Sequence, residues 1–328
     1  MPVVSVVMYF HRVTPFLRPA VESVLRQSFG DLELVLVDNG VGVGAEPLGE
    51  SGRDPRLRIV SQPEHSGIAE GHNTAIALAR GEFIALLDSD DIALPNRLEK
   101  QVAALRADER LGLVSSCADQ INEDGTVIGR EFALVGAEEQ RVFSGYTNPA
   151  PAPSYTGRAV VFRRFPFRAQ FPFACDYDFF SRAAEAWAMR GIPEVLLHYR
   201  RHAQQTTAAR FDSQMISACV IRLLTARRRS GRDENLDATV RAVSEWSAPG
   251  RNLGEVYRHF AGLSLAEGFP LLAVYHARKA LSVQCRPSDF RAAMAILMAA
   301  IRSENHNRAR LLRMFRGGPL RAHGLRRA

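Results

Sequence analysis

The sequence has no apolar run long enough to cross a membrane, and it has few cysteines. Its longest uninterrupted apolar stretch, residues 292–301, is about half the length of a membrane-spanning helix. The first residues lack the basic region and cleavage site of a signal peptide, so we expect a cytoplasmic protein. The 4 cysteines are far apart without metal-ligand spacing, which predicts reduced thiols.

Lysine is almost absent, since Lys100 and Lys279 are the only lysines in the chain. The net charge is nevertheless +7, because arginine is abundant. Residues 308–328 contain 7 arginines and no acidic residue. This basic tail could contact anionic lipid headgroups at the inner membrane face or an acidic partner, or it could be a solvated terminus. No recognised nucleic-acid module accompanies the charge, so we expect no nucleic-acid partner.

The patterning predicts two domains, residues 1–205 and 206–328. In the first, strand-like runs alternate with helical spacing, which predicts a mainly parallel sheet covered on both faces. The second has helical patterns, and residues 253–287 resemble one tetratricopeptide-like helical hairpin, which we expect to pack on the first domain. The predicted strands are 3–9, 32–37, 57–60, 83–87, 111–116, 159–163 and 195–199, with a hairpin at 118–130. The predicted helices are 15–27, 68–79, 95–105 and 175–189.

The most informative stretch is an apolar run, Phe83 to Leu87, that ends in Asp88-Ser89-Asp90-Asp91. The run is too short for a helix and predicts a buried strand. Clustered acids at the carboxyl end of a core strand lie where open α/β sheets bind their ligands. Mutual repulsion disfavours such a cluster unless a cation neutralises it. Mg²⁺ or Mn²⁺ accepts oxygen ligands and commonly bridges carboxylates to phosphates, so we predict a metal-dependent site for a phosphorylated donor.

A structural alternative exists for these acids. Acid pairs at strand ends are often helix N-caps or solvated turns. Residues 92–98 look like the start of a helix, so Asp91 could simply favour the positive end of that helix.

Seven segments in order resemble family 2 glycosyltransferases with the GT-A fold, over roughly residues 3–205. The segments are Val4 to Phe10, Leu17 to Ser28, Leu34 to Gly40, His65 to Asn73, Asp88 to Asp91, Cys175 to Asp178 and Tyr199 to His202. The chain departs from the family pattern at several positions near the nucleotide pocket. These positions are Phe10, His11, Asn39, His72 and Cys175.

The resemblance implies a metal-dependent inverting enzyme that moves a sugar from a nucleoside-diphosphate sugar, probably UDP-linked, to a hydroxyl acceptor in cell-surface polysaccharide or glycoconjugate synthesis. The acceptor could be a glycan, a lipid-linked carrier or a protein. The cofactor implied is Mn²⁺ or Mg²⁺, held by Asp90 and Asp91 with His202. The catalytic base implied is Asp176.

The remaining implied contacts are to the nucleotide sugar. The residues concerned are Phe10, Asp38, His72, Asp88, Ser89 and Arg200. Structural alternatives stay open for several of them: Asp38 could cap a loop, His72 could cap a helix, and residues 200–202 could form a surface run. We expect Asp178 to cap a helix, and Cys175 to serve in packing.

Two other enzyme classes use aspartates on an α/β sheet. Haloacid-dehalogenase-type phosphatases place their aspartates directly after the first strand, and sugar nucleotidyltransferases open with a glycine-rich loop there; neither feature is present. The other alternative is a catalytically degenerate GT-A protein that binds a nucleotide sugar or a partner. The presence of Asp90 and Asp176 argues against it.

Overall fold

The computed structural model describes residues 1–203, 205, 210–236, 241, 253–283, 294–296 and 298–299. The chain forms two compact units, Met1–Ile221 and Arg222–Ala328. The basic tail and Cys285 lie outside the described residues, whereas Cys117, Cys175 and Cys219 are buried and form no disulfide. No helix in the described ranges is long and apolar enough to cross a bilayer.

The first unit is built on alternating strands and helices. In chain order they are β1 (Val4–Phe10), α1 (Leu17–Leu25), β2 (Leu32–Asn39), a 3₁₀ helix (Glu46–Arg53), β3 (Leu57–Gln62), α2 (Ile68–Leu78), β4 (Phe83–Leu86), β5 (Ile92–Ala93), α3 (Arg97–Ala107), β6 (Leu111–Ile121), β7 (Val127–Glu131), α4 (Ala137–Phe143), a 3₁₀ turn (Ala152–Ser154), β8 (Thr156–Arg158), α5 (Ala159–Arg164), α6 (Cys175–Ala186) and β9 (Ala188–Arg200). Helix α7 (Phe211–Arg229) follows, and the boundary between the units falls within it.

The sheet is mixed and mostly parallel, as the sequence predicts. It has 9 strands in the order β3-β2-β1-β4-β8-β6-β9-β5, and β7 pairs with β6. Strands β1 to β4 pair in parallel, and so do β6 and β9. Strand β8 is antiparallel to both β4 and β6 and joins the two parallel groups. The predicted hairpin is confirmed as β6 and β7.

Both faces of the sheet are covered, because side chains along a strand alternate between its faces. On β1, Val6 and Met8 pack in a cluster that includes residues of α1 and α3. Val7 packs in a separate cluster with residues of α2, α5 and α6, and Tyr9 packs against it. All eight residues of β2 are buried, as expected for a strand covered on both sides.

Three local predictions were wrong. Residues 159–164 form helix α5 rather than a strand; Ala159 and Phe162, three positions apart, are buried while Val160 and Arg163 are exposed, which is the spacing of a helix face. Helix α1 spans Leu17–Leu25 and is shorter at both ends than the predicted helix 15–27; the Thr14 hydroxyl accepts the N–H of Phe16 at 3.3 Å just before it. Residues 92–93 form strand β5 instead of a helix start.

The second unit contains the predicted helical hairpin. Helices α8 (Leu253–Ala266) and α9 (Pro270–Ser282) share a buried cluster of Ala261, Ala273, Val274 and Ala277. The alanines allow close approach of the two helices. Buried His276 lies in this hairpin, where burial and the charge of Arg222 hold its pKa well below its usual range.

A fully buried arginine on α3 supports the carboxyl end of β4. Arg97 is 1% exposed, and it donates to the carbonyl of Leu86 at 2.8 Å and to Oε1 of Gln101 at 3.1 Å. We expect Arg97→Met to destabilise the fold by about 3 kcal/mol, because buried acceptors lose their donor. Urea unfolding measures this loss. Arg106→Met, at an exposed position of the same helix, should change stability by less than about 0.5 kcal/mol. Equal effects of the two substitutions would contradict this account.

Candidate active site

Three carboxylates meet where β4 ends. Asp88, Asp90 and Asp91 each place one oxygen within 4.8 Å of the others. Burial first, and then the charges of Asp90 and Asp176, raise the pKa of Asp88 to about 8. Burial and the neighbouring aspartates also raise the pKa of Asp91 well above its usual range. The predicted acid cluster is therefore a real juxtaposition in space, and it is electrostatically unfavourable by itself.

Asp91 joins this cluster to the end of β9. Its Oδ1 accepts the backbone N–H of Arg200 at 2.8 Å, and the carboxylate is fully buried. Strand β5, which starts at the next residue, pairs antiparallel with β9. Asp91 thus anchors a strand, and the helix-capping alternative is wrong because α3 begins only at Arg97.

Arg200 connects the backbone at Asp90 to the backbone of the β6–β7 turn. Its Nε donates to the Asp90 carbonyl at 3.0 Å, and its Nη1 donates to the carbonyls of Asn122 and Glu123. The guanidinium also lies 4.6 Å from the ring centre of Phe16. The side chain assigned to a diphosphate from the sequence is thus 6% exposed and engaged with backbone oxygens.

His202 reaches the acid cluster, as the resemblance implies. Its Nε2 lies 2.8 Å from Oδ2 of Asp90, and its ring packs 5.3 Å from that of Phe16. The histidine side chain is only 4% exposed. The Tyr199-to-His202 segment is consequently part of the site and not a surface run.

The donor set at this position fits a hard divalent cation. Carboxylate oxygens are the ligands that Mg²⁺ and Mn²⁺ favour. The Oδ2 atom of Asp91 is buried and has no hydrogen-bond partner among the described residues. A cation bound beside the three carboxylates would supply a partner for this oxygen. Ser89, between the ligands, is half-buried in the same turn.

Asp176 lies in the first turn of α6. Its Oδ2 accepts a hydrogen bond from Nδ2 of Asn148 at 2.9 Å. Burial raises the pKa of Asp176, while hydrogen bonds from the Tyr177 backbone and from Asn148 oppose the rise. The Asp176 charge contributes to the raised pKa of Asp88, so the two carboxyl groups interact electrostatically. Asn148 is not among the site residues predicted from the sequence.

The two neighbours of Asp176 on α6 have structural roles. Asp178 is fully buried and accepts from Nε and Nη2 of Arg182 at 2.9 and 2.7 Å. It is therefore an ion-pair partner and not the helix cap expected from the sequence, since α6 has Ala174 at its N-cap. Cys175 is buried, and burial with nearby carboxylates raises the pKa of its thiol well above its usual range. This agrees with the packing interpretation.

The turn after β2 is folded around Asp38. Its Oδ1 accepts the N–H groups of Val41 and Gly42, and its Oδ2 accepts those of Val43 and Gly44, at 2.9 to 3.2 Å. These contacts match the loop-cap alternative for Asp38, which is fully buried.

Asn39 ties the same turn to residues 66–67, because its Oδ1 accepts the N–H of Ser66 and its Nδ2 donates to the Gly67 carbonyl. Gly40 has φ +86, and a Cβ there would lie 2.4 Å from the His65 nitrogen. Glycine is required by this close approach.

At the end of β1, Tyr9 and Phe10 lie on opposite faces of the sheet, and Tyr9 rather than Phe10 is on the side of the candidate site. Phe10 is 1% exposed and packs in the core cluster with α1, so the structure corrects its assignment to the nucleotide. Burial and the charges of Asp88, Cys175, Asp90 and Asp176 raise the pKa of Tyr9 well above its usual range, so its phenol interacts electrostatically with these acids. The alternation of β1 is the signal that could have identified Tyr9, because Val7 and Tyr9 share a face.

The His72 ring packs against the Tyr9 ring. Its ring lies 4.7 Å from Tyr9 in an edge contact and 4.8 Å from Phe167 in a stacked one. Burial lowers the pKa of His72 to about 4, so the imidazole is neutral at pH 7. Its buried Nδ1 has no partner among the described residues. It is 5 residues into α2, which excludes the capping alternative.

Comparison with known proteins defines the class. The family model for glycosyl transferase family 2 matches residues 5–170, which is just over half of the chain. The chain therefore belongs to glycosyltransferase family 2 and is an enzyme of that family.

Relatives agree with this assignment. An uncharacterised glycosyltransferase of Haemophilus influenzae is 25% identical, over 63% of this chain and 68% of its own length. One from Methanocaldococcus jannaschii is 28% identical over 66% and 76%, respectively. Chondroitin synthase of Pasteurella multocida is 26% identical over 65% of this chain, but the match covers only 22% of that enzyme.

Solved structures show the GT-A fold. S. aureus TarS 1–349 in complex with UDP superposes with a TM-score of 0.56 and 15% identity, over 93% of both chains. The same fragment in complex with UDP-GlcNAc gives a TM-score of 0.56 over 92% of both. The fold predicted from the sequence is thereby confirmed.

The Asp38 contacts yield a test that needs no substrate. We expect Asp38→Ala to speed hydrogen exchange at the amides of Val41 to Gly44 by at least about tenfold, since each loses an anionic acceptor worth about 1.5 kcal/mol or more. Exchange mass spectrometry measures this. Asp31→Ala, at the exposed opposite end of β2, serves as the control. Unchanged exchange in Asp38→Ala would contradict the loop-cap role.

Proposed function

We propose that this protein is a metal-dependent inverting glycosyltransferase that moves a sugar from a UDP-linked donor to a hydroxyl acceptor. The observation that carries the proposal is the acid cluster at the end of β4, electrostatically coupled to a separate carboxylate, Asp176, on α6. The cluster suits a donor diphosphate and its cation, and the separate carboxylate suits proton removal. The UDP and UDP-GlcNAc complexes of TarS support a UDP-linked donor.

Asp90 and Asp91 would hold the cation, with Asp88 beside them and His202 on Asp90. When bound, Mn²⁺ or Mg²⁺ stabilises the negative charge that develops on the leaving diphosphate. The protein fixes the ligands beforehand, since Asp91 is anchored to β9 and the Asp90 backbone to Arg200. Ser89 and Tyr9 would border the donor, and His72 would support Tyr9 as an uncharged ring.

Asp176 would accept the proton of the attacking hydroxyl. A positioned base is worth roughly 10²- to 10⁴-fold in rate. Because one carboxylate and a stabilised leaving group suffice for direct displacement, no covalent nucleophile is needed and the anomeric centre inverts. Cys175 is unsuited to nucleophilic attack because its thiol is buried and its pKa is raised.

Chondroitin synthase among the relatives supports polysaccharide or glycoconjugate synthesis as the setting. We extend this to a hydroxyl acceptor on a glycan, a lipid-linked carrier or a protein. The basic segment 308–328 would add peripheral contact with the inner membrane face, in a protein of the cytoplasm. Vesicle sedimentation at low and high salt, with and without this segment, distinguishes membrane contact from a solvated tail.

Donor binding can be measured by thermal shift with UDP, UDP-GlcNAc and other nucleotide sugars in the presence of Mn²⁺. A ligand at about 100 times its Kd should stabilise the protein by about 2.7 kcal/mol. Asp90→Ala should abolish the shift and slow donor hydrolysis. Asp119→Ala, at an exposed ion pair on β6, should retain both. Shifts that are equal with EDTA and with Mn²⁺ would contradict metal dependence.

Metal binding should release a proton near neutral pH. The raised pKa of Asp88, about 8, means that its carboxyl is mostly protonated at pH 7, and the cation displaces that proton. We therefore expect Mn²⁺ affinity to rise with pH until it passes about 8. Calorimetry in buffers of different ionisation enthalpy measures the released proton. In Asp88→Asn this release should fall but not vanish, because the pKa of Asp91 is raised as well; an unchanged release would show that Asp88 does not contribute to it.

Asp176→Asn should keep the donor-induced thermal shift and lose about 10²- to 10⁴-fold in turnover, because the amide cannot accept the hydroxyl proton. Turnover of a nucleotide sugar with and without acceptor gives the rate. The anomeric configuration of the product, followed by NMR, should be inverted. Full turnover in Asp176→Asn, or a retained configuration, would refute the assigned mechanism.

A further inference from the structure

We propose that Asn148 is a positioning residue for Asp176, holding one carboxylate oxygen in place and stabilising the anionic form that accepts the proton. The inference rests on the proposed function for the role of Asp176 as base. The contact itself is direct: Nδ2 of Asn148 donates to Oδ2 of Asp176 at 2.9 Å. The two residues come from different elements, the segment after α4 and the first turn of α6.

The orientation of the Asn148 amide is determined by the carboxylate. The amide oxygen, Oδ1, is buried and has no hydrogen-bond partner among the described residues. A flipped amide would bring this oxygen against the Asp176 carboxylate, so the donor must face Asp176. Buried acceptors without partners are rare, because they are unfavourable. A residue serving only loop stability would not need this arrangement.

The backbone around Asn148 is held on both sides. The N–H of Thr147 donates to the Phe143 carbonyl at 2.9 Å, at the end of α4. The Pro149 carbonyl accepts the N–H of Leu134 at 3.2 Å. The Asn148 side chain is consequently presented to Asp176 from a fixed segment, as a residue that orients a base must be.

The charge environment gives this contact its importance. The acidic groups that interact with Asp176 come from several elements: Cys175 and Asp178 on α6, Tyr9 on β1, Asp88 after β4, and Tyr155 before β8. Of these, Asp178 raises the pKa of Asp176, whereas Cys175, Tyr9 and Tyr155 have raised pKa values themselves and are neutral at pH 7. Burial acts in the same direction and raises the pKa of Asp176, whereas Asn148 and the Tyr177 backbone N–H lower it.

A double-mutant cycle tests the contact without any substrate. The four proteins are wild type, Asn148→Leu, Asp176→Asn and the double variant, unfolded in urea between about pH 4 and about pH 8. The loss caused by Asn148→Leu should grow as pH rises through the pKa of Asp176, since the anion forms the stronger hydrogen bond. In the Asp176→Asn background the same substitution should show a loss independent of pH. Equal pH dependence in both backgrounds would overturn the proposal.

A pH–rate profile tests the functional role, with Mn²⁺-supported hydrolysis of UDP-GlcNAc as the probe. Asn148→Leu should move the acid limb upward by about one pH unit, so activity below the limb falls about tenfold. Asn148→Asp, which is isosteric, should move the limb further because two carboxylates then share a site. If Asn148→Leu fails to fold, Asn148→Asp still provides the test.

Asn73→Leu provides the matched control. Asn73 forms hydrogen bonds to the backbone of Phe167 and none that the structure records to a carboxylate. The Asn73→Leu substitution should lower the free energy of unfolding without moving the acid limb of the pH–rate profile. A limb unmoved in both Asn148 variants, or moved equally by Asn73→Leu, would overturn the proposal. A pH-dependent cycle combined with full turnover in Asp176→Asn would uphold the contact and refute the proposed base.

Discussion

Mutual repulsion among carboxylates at one edge of the sheet is the constraint around which the site is built. Asp88, Asp90 and Asp91 crowd together where β4 ends, and burial raises the pKa of two of them. The contacts that oppose their separation come from distant parts of the chain. Asp91 is bound to the end of β9, and Arg97 lies buried beneath β4, where the charges of Asp88 and Asp91 favour its guanidinium.

The sheet topology explains how an unfavourable cluster can face a second carboxylate. Strand β8 is antiparallel to its neighbours and connects the parallel group that carries the acids to the group formed by β6 and β9. Helix α6 precedes β9 and carries Asp176 in its first turn. The segment that leads to β8 supplies Asn148. The acids and Asp176 therefore come from segments that are joined to different halves of one sheet.

Much of this arrangement was predictable because its signals are local. The strand that ends in Asp88 to Asp91 has both its apolar run and its acids within one short segment, and Asp176 follows from the order of motifs. The exceptions depend on contacts distant in sequence. Arg200 looks like a phosphate ligand until the carbonyls of Asn122 and Glu123 are placed beside it. The sequence of helix α5 favours a strand because two valines and a phenylalanine stand in a row, and tertiary packing decides otherwise.

Asn148 illustrates the limit most clearly. Nothing in the sequence around an asparagine in a proline-rich loop relates it to a carboxylate 28 residues later. Tyr9 is an intermediate case, because strand alternation alone separates it from Phe10. A residue at a strand end can thus be assigned to a face from its neighbours, whereas a residue in a loop cannot.

The hydrogen bonds from Arg200 to the backbone have a consequence for protein engineering. Because its guanidinium binds main-chain carbonyls of the β6–β7 turn, the identity of the turn side chains is irrelevant to that contact. Glu123 and Asp124 point to solvent. Epitopes, dyes or surface-attachment handles could therefore be grafted at the tip of this hairpin while the catalytic edge keeps its architecture, provided that the backbone path of the turn is retained.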